Sequence, residues 1–143
     1  TGVQTCALPI YYIYMMDTGL ACYLSLWNNA RSLELSAMAG SFFETYCISE
    51  IIKTYTNKGL DVRSRFSYYR DNNGNEIDLL IEDNNILYPV EIKKSAEPGK
   101  EAIKNFSVLK DLNRTIGKVS VLCLSSFSVP IDENNIILPV SAI

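Results

Sequence analysis

Residues 68–94 constrain the fold most, because two turn signals divide this stretch into three short apolar segments. The stretch reads YYRDNNGNEIDLLIEDNNILYPVEIKK. Asn73-Gly74 predicts a two-residue hairpin turn of type I′, which needs positive φ at both central positions. Asn84-Asn85 is a weaker signal of the same kind. The stretch therefore predicts three consecutive antiparallel strands.

The second turn brings two carboxylates together. If Asn84-Asn85 forms the loop, counting outward along the ladder places Asp78 directly opposite Glu91. Side chains alternate across a strand, so Lys93 shares a face with Glu91. Like charges directly opposite each other destabilise a sheet. A divalent cation between the two carboxylates would explain the arrangement.

Counting across Asn73-Gly74 adds two candidate substrate-binding residues. This register places Tyr69 opposite Asp78, on the face of the site. Arg70 then points to the other face, where a structural ion pair explains it at least as well.

A further acidic residue lies on the longest predicted helix, residues 41–58, which Gly59 closes. Its apolar residues follow helical spacing and mark the core face. Glu44 precedes Cys47, Ile48 and Ile51 by three, four and seven residues, so it lies on that same face. Burying a carboxylate is costly without a partner. The alternative is a carboxylate placed near the helix N-terminus because the helix dipole favours it there.

Composition narrows the chemistry. The sequence contains no histidine, which excludes Ser-His-Asp and Cys-His catalysis and histidine metal sites. The net charge of −3 argues against a broad basic surface for nucleic acid, so such a partner would be held locally or by an upstream module. No apolar run is long enough to cross a membrane. The widely spaced Cys22, Cys47 and Cys123 suit reduced thiols in the cytoplasm.

The rest of the chain completes an α/β pattern. Residues 1–10 resemble a translated sequencing adapter and are set aside, together with Cys6. Residues 11–38 read as a connector: a strand at 11–16, a helix from the N-cap Asp17 to about 27, and a helix at 30–38. After the three central strands come a helix from about 97 to 112, a doubly buried strand at 119–124, and a short strand at 136–138.

Two resemblances follow from these motifs. The acidic Glu44, then Asp78, then Glu91-Ile92-Lys93 resemble the PD-(D/E)XK nuclease superfamily, although Ile77 stands where that superfamily often has proline. More narrowly, DTGLACYL, GSFFETYCISEIIK, YYRDNNGNEIDLLI and YPVEIKKS are similar to the domain of unknown function 4143 over residues 11–124. That domain usually follows an AAA+ ATPase module, which this sequence lacks.

The resemblance implies a restriction-endonuclease-like core at residues 39–143 and a Mg²⁺- or Mn²⁺-dependent hydrolysis of DNA. Asp78, Glu91 and the backbone carbonyl of Ile92 would hold the metal. Lys93 would orient water or stabilise the transition state. Glu44 would hold a metal-bound water or complete the site from the helix side. ATP would act only through the missing upstream module.

Two other interpretations stay open. One is a nuclease fold that no longer cleaves and serves the ATPase as a DNA- or protein-binding module. The other is an ordinary α/β scaffold, in which Asp78, Glu91 and Lys93 form a structural ion network.

Overall fold

The computed structural model describes residues 13–143, without the side chains of residues 111 and 112. Helices and strands alternate along it, so the predicted mixed α/β class is confirmed. The α-helices are α1 Thr18–Leu24, α2 Ala30–Glu34 and α3 Ala39–Asn57, and 3₁₀ helices cover Lys100–Leu112 and Val140–Ala142. The strands are β1 Phe66–Arg70, β2 Glu76–Asp83, β3 Ile86–Lys93, β4 Thr115–Ile116, β5 Val119–Cys123, β6 Val129–Pro130 and β7 Asn135–Pro139.

Within the described residues the strands form one seven-stranded sheet. Its order is β1-β2-β3-β5-β7-β6, and β4 pairs with β3. The strands β1, β2 and β3 form the predicted antiparallel meander. The strand β5 runs parallel to β3, and β7 runs parallel to β5. A parallel pair needs a crossover, which the segment containing the long 3₁₀ helix supplies.

The sheet is covered on both faces. On one face, α3 packs Cys47, Ile48 and Ile51 against residues of β2, β3 and β5. On the other face, Phe106 and Leu109 of the long 3₁₀ helix pack against β2 and β5. Coverage of both faces explains why four of the five residues of β5 are apolar, Ser120 being the exception, as expected for a parallel strand in a sheet interior.

The helices before α3 are shorter than predicted. Asp17 caps α1 by accepting from the backbone N–H of Leu20, as expected. The helix ends at Leu24 rather than near residue 27, because Leu26 adopts a positive φ of 61°. Asn29 caps α2 in the same way, and that helix ends at Glu34 rather than at residue 38.

The strand predicted at 11–16 is wrong for its described part. Residues 13–16 have no regular structure, and residues 11 and 12 lie outside the described range, as does the adapter-like segment 1–10. One residue of this apolar segment packs against the core. Tyr14 packs against the core cluster of α3 instead of joining the sheet.

The two hairpin turns differ. Asn84 and Asn85 have φ of 50° and 63°, and Asp83 pairs with Ile86, so the second turn is the predicted two-residue loop. The first turn has three residues, because the N–H of Asp71 donates to the carbonyl of Asn75 at 3.0 Å. Gly74 has φ of 82° and follows a turn beginning at Asp71, the usual geometry of a three-residue hairpin loop.

Two further observations bear on class. None of the helices in residues 13–143 is long and apolar enough to span a membrane. Cys22, Cys47 and Cys123 are free thiols, and the last two are buried.

The helix predicted from residue 97 begins later in the structure. Its 3₁₀ helix starts at Lys100, after Gly99 in an extended conformation.

Candidate metal centre

The seam between β2 and β3 opens at Asp78. The ladder is regular from Asp83↔Ile86 to Leu79↔Val90. At the next position, the backbone N–H of Ile92 donates to Oδ2 of Asp78 at 2.7 Å. The N–H and C=O of one strand residue point to the same side. The Ile92 carbonyl therefore also points toward β2, and the family resemblance implies that this carbonyl is a metal ligand.

The alternation of side chains breaks at the same place. Ile77 and Leu80 pack in the same cluster, under the long 3₁₀ helix, although they are three residues apart. Asp78 lies on the opposite side and lines a pocket beside α3. Because β2 departs from the period of two here, a simple count along the strand misplaces Asp78.

Glu91 and Lys93 lie on the other face. Val90 and Ile92 pack under α3, so alternation places Glu91 and Lys93 away from α3. Counting along the sequence predicts that the carboxylates of Asp78 and Glu91 face each other on one side of the sheet. The structure instead places them on different sides. They approach the seam from its two sides, and their charges interact there.

Glu91 is nearly inaccessible and only half satisfied. Its Oε1 forms a salt bridge with Nζ of Lys93 at 2.5 Å, and the side chains are 5% and 44% exposed. Its Oε2 is buried and accepts no hydrogen bond. A buried carboxylate oxygen without a partner is costly. This atom is therefore available to a cation.

Glu44 approaches from α3. It is half-buried, and its Oε1 accepts a hydrogen bond from the hydroxyl of Tyr14 at 2.8 Å. Its negative charge raises the pKa of both Asp78 and Glu91, and it also stabilises the ammonium of Lys93. Glu44 is therefore coupled electrostatically to the other three charged residues.

Burial dominates the acidity of the cluster. It raises the pKa of Asp78 from 3.8 to about 7, and the charge of Glu91 adds to the effect. Burial likewise raises the pKa of Glu91, against the stabilising salt bridge of Lys93. For Lys93, desolvation lowers the pKa, but the bond to Glu91 and the other carboxylates outweigh it and raise the pKa overall. Lys93 is therefore protonated at neutral pH.

The predicted positions of Tyr69 and Arg70 are corrected. The three-residue loop pairs Tyr69 with Ile77 and Arg70 with Glu76, and a bulge follows between Ser67 and Tyr69. Tyr69 packs on the face of the long 3₁₀ helix, away from Asp78. Arg70 is exposed and lies directly across from Glu76, as a structural ion pair would require.

Two residues beside the site, Tyr68 and Tyr14, are not predicted from the sequence. Tyr68, not Tyr69, lines the pocket beside Asp78. The Asp-Asn-Asn-Gly pattern of the first turn is the signal that could have found it, because a three-residue loop shifts the register by one. Tyr14 lies thirty positions before its partner Glu44. No local pattern in the sequence could have revealed that contact.

The donor set fits a hard divalent cation. Asp78, Glu91 and the carbonyl of Ile92 are oxygen donors, and Glu91 Oε2 has no partner. In residues 13–143, no three His, Cys, Asp or Glu side chains are grouped as metal ligands. Mg²⁺ is usually held by one or two carboxylates together with water and substrate phosphate, so this set is compatible with its chemistry.

A second cavity, of about 640 Å³, lies at the start of β5, next to Val119 and Asn135. It is larger than the pocket beside Asp78. The parallel register pairs Lys93 with Cys123 at the other end of β5. The candidate centre and this cavity are therefore at opposite ends of the strand.

A family model describes most of the chain. The model for a domain of unknown function, DUF4143, matches residues 39–143. The chain belongs to the DUF4143 family. The match contains α3, the meander, β5 and β7, and therefore every residue of the candidate centre except Tyr14. No curated protein and no solved structure matches this DUF4143 chain significantly.

Proposed function

We propose that this DUF4143 chain carries a PD-(D/E)XK-type nuclease centre that hydrolyses phosphodiester bonds of DNA with Mg²⁺ or Mn²⁺. The observation that carries the proposal is that Oε2 of Glu91 is buried and accepts no hydrogen bond. The charge of Glu91 also acts on the carboxyl group of Asp78. A scaffold selected for stability would fill this position with a donor or an apolar group. The meander, α3 and the parallel β5 are compatible with the restriction-endonuclease-like core expected from the motifs.

Each side chain has a role in this proposal. Asp78, Glu91 and the Ile92 carbonyl would hold the cation. When bound, the cation would lower the pKa of a water molecule and neutralise charge on the phosphate. Lys93 is protonated at neutral pH and would stabilise negative charge on the phosphate, rather than act as a base. Glu44, held by Tyr14, would orient the attacking water.

The proposal is tested first by metal binding. Mn²⁺ stabilises only the state that binds it, so the melting temperature of the chain should rise with the logarithm of Mn²⁺ concentration. The rise should vanish in Asp78→Asn and in Glu91→Gln. Asp83→Asn is the matched control, because Asp83 lies on the same hairpin and pairs with Arg65 outside the centre.

Cleavage is the second test. A DNA substrate should be cut in the presence of Mn²⁺, and Lys93→Ala should abolish cutting. Lys94→Ala is the control, since Nζ of Lys94 contacts the carbonyl of Glu34 instead of the carboxylates. Equal loss in both lysine variants, or no melting shift together with no cutting, would contradict the proposal.

A second function has its own supporting observation. Lys93 already neutralises Glu91, and the whole chain carries a charge of −3, which weakens attraction to a phosphate backbone. The chain would then be a silent nuclease fold that serves an AAA+ ATPase in the cytoplasm as a DNA- or protein-binding module. A melting shift in Mn²⁺ without cleavage of any DNA would favour this function.

A further inference from the structure

A small pocket adjoins the candidate centre. It has a volume of about 150 Å³ and lies between α3, the segment before α1, and the strands β1 and β2. Its lining is mostly apolar or aromatic, with Ile48 and Ile52 from α3 and Leu79 from β2. Tyr14 and Tyr68 add two aromatic rings, and Asp78 is its one ionisable carboxylate. A surface of this kind suits a flat apolar ring with polar groups on its edge.

The volume limits what the pocket can hold. An apolar cavity of about 150 Å³ accommodates one benzene-sized ring. The pocket therefore holds one six-membered ring, and the second ring of a purine would extend beyond its lining. Among nucleobases, a pyrimidine fits.

The position of the pocket ties it to the centre. Asp78 lines the pocket and belongs to the centre, and Tyr14 lines it while its hydroxyl holds Glu44. A ring in this pocket would thus lie beside Asp78 and beside Tyr14, the residue that donates to Glu44. The phosphodiester attached to that nucleotide would reach the centre without a second binding site.

We propose that this pocket receives one unpaired pyrimidine base, so that the substrate is single-stranded DNA or a single-stranded end. The inference rests on the proposed function. A base inside a duplex is stacked and paired, and reaches a pocket only after it is unstacked. Stacking of bases on aromatic side chains contributes affinity that does not itself come from positive charge. This agrees with a chain of net charge −3.

The experiment measures binding of dye-labelled octamers to the 143-residue chain by fluorescence anisotropy in Ca²⁺. The probes are a thymidine octamer, an adenosine octamer and an octamer of abasic nucleotides. We expect the thymidine octamer to bind about tenfold or more tighter than the abasic octamer, the range of one stacked base. We expect the adenosine octamer to bind more weakly than the thymidine octamer.

Two pairs of variants test the pocket itself. Ser67 lines the pocket, so Ser67→Phe should remove the preference for thymidine over abasic DNA. Ser64→Phe places the same ring three residues earlier, outside the pocket lining, and should keep the preference. Tyr68→Ala should lose it, whereas Tyr68→Phe keeps the ring and should retain it.

Several outcomes would overturn the inference. Equal binding of thymidine and abasic octamers, a preference for adenosine, or an unchanged Ser67→Phe variant would each exclude a pyrimidine pocket. Competition by a phenylalanine-containing peptide, but not by thymidine, would assign the pocket to a protein partner. If cleavage depends on Lys93 while these results fail, only the pocket inference falls. If no octamer binds and Mn²⁺ gives no melting shift, the proposed function falls as well.

Discussion

Replacing Asp78 by asparagine should stabilise the metal-free protein at pH 8. Burial and the charge of Glu91 raise the pKa of Asp78 from 3.8 to about 7. Between these values, the unfolded state loses its proton while the folded state keeps it. The carboxyl group therefore contributes its full stability below about pH 4, and that stability is lost as the pH rises to about 7.

The pKa difference sets the magnitude. A difference from 3.8 to about 7 corresponds to an upper limit of about 4 kcal/mol in the free energy of unfolding. Asp78 is only partly buried, and solvent screening reduces the effect, so we expect about 2 kcal/mol. Asparagine keeps an oxygen that can accept from the Ile92 N–H, so the substitution removes the charge and retains the bond. About 2 kcal/mol corresponds to a rise of roughly 6 °C in melting temperature.

The assay is urea unfolding without metal at pH 5 and pH 8. Wild-type protein should lose stability between these values, and Asp78→Asn should lose less. Asp61→Asn is the control, since backbone and side-chain hydrogen bonds from Arg63 lower the pKa of Asp61, so the same change should not stabilise at pH 8. A variant less stable than wild type at pH 8 would refute the reasoning. It would show that the charged carboxylate of Asp78 serves mainly as a structural acceptor for Ile92.

Two further predictions concern packing and pairing. Lys93→Met leaves the carboxylate of Glu91 buried without its cation and should destabilise by about 1–2 kcal/mol, less than for a fully buried pair because Lys93 is 44% exposed. Adding Glu91→Gln to Lys93→Met should recover most of this loss of stability. If the double variant instead loses the sum of the two single-variant losses, Lys93 and Glu91 are not coupled. Gly117→Ala would place a Cβ 2.5 Å from the ring of Tyr88 and should cost about 1–3 kcal/mol by urea unfolding. In Gly40→Ala, in α3, the new Cβ meets nothing within 4 Å, so this control should instead stabilise by up to about 1 kcal/mol. Equal changes in stability for the two glycine variants would contradict the close contact between Gly117 and Tyr88.

Local signals in the sequence were sufficient for the architecture around β3. The Asn84-Asn85 turn fixes the register of β2 against β3 because two adjacent residues with positive φ leave one way to close the loop. The mostly apolar sequence of β5 indicates a strand covered on both faces, and α3 and the long 3₁₀ helix cover it. These features depend on residues close in sequence, or on burial that any partner would satisfy.

The site was harder to predict, because its geometry depends on departures from regular structure. The first loop gains one residue, and the bulge between Ser67 and Tyr69 compensates for it within β1. Between the two irregularities every pairing is shifted by one, which exchanges Tyr69 for Tyr68 at the pocket. A period of two assigns each face only while the strand stays regular. The same limitation misplaced Asp78 relative to Glu91.

These departures bear on whether the centre can act. In a regular ladder the N–H of Ile92 would pair with the backbone of β2, and both peptide groups would be engaged. Because the seam opens, Asp78 takes that N–H and the Ile92 carbonyl points toward the same opening. Lys93 occupies Oε1 of Glu91 and leaves Oε2 unpaired, so a cation at Oε2 need not displace the ammonium. The salt bridge that supports a silent module is thus equally compatible with a charged lysine held ready beside a bound phosphate. Metal binding and cleavage must therefore be measured separately.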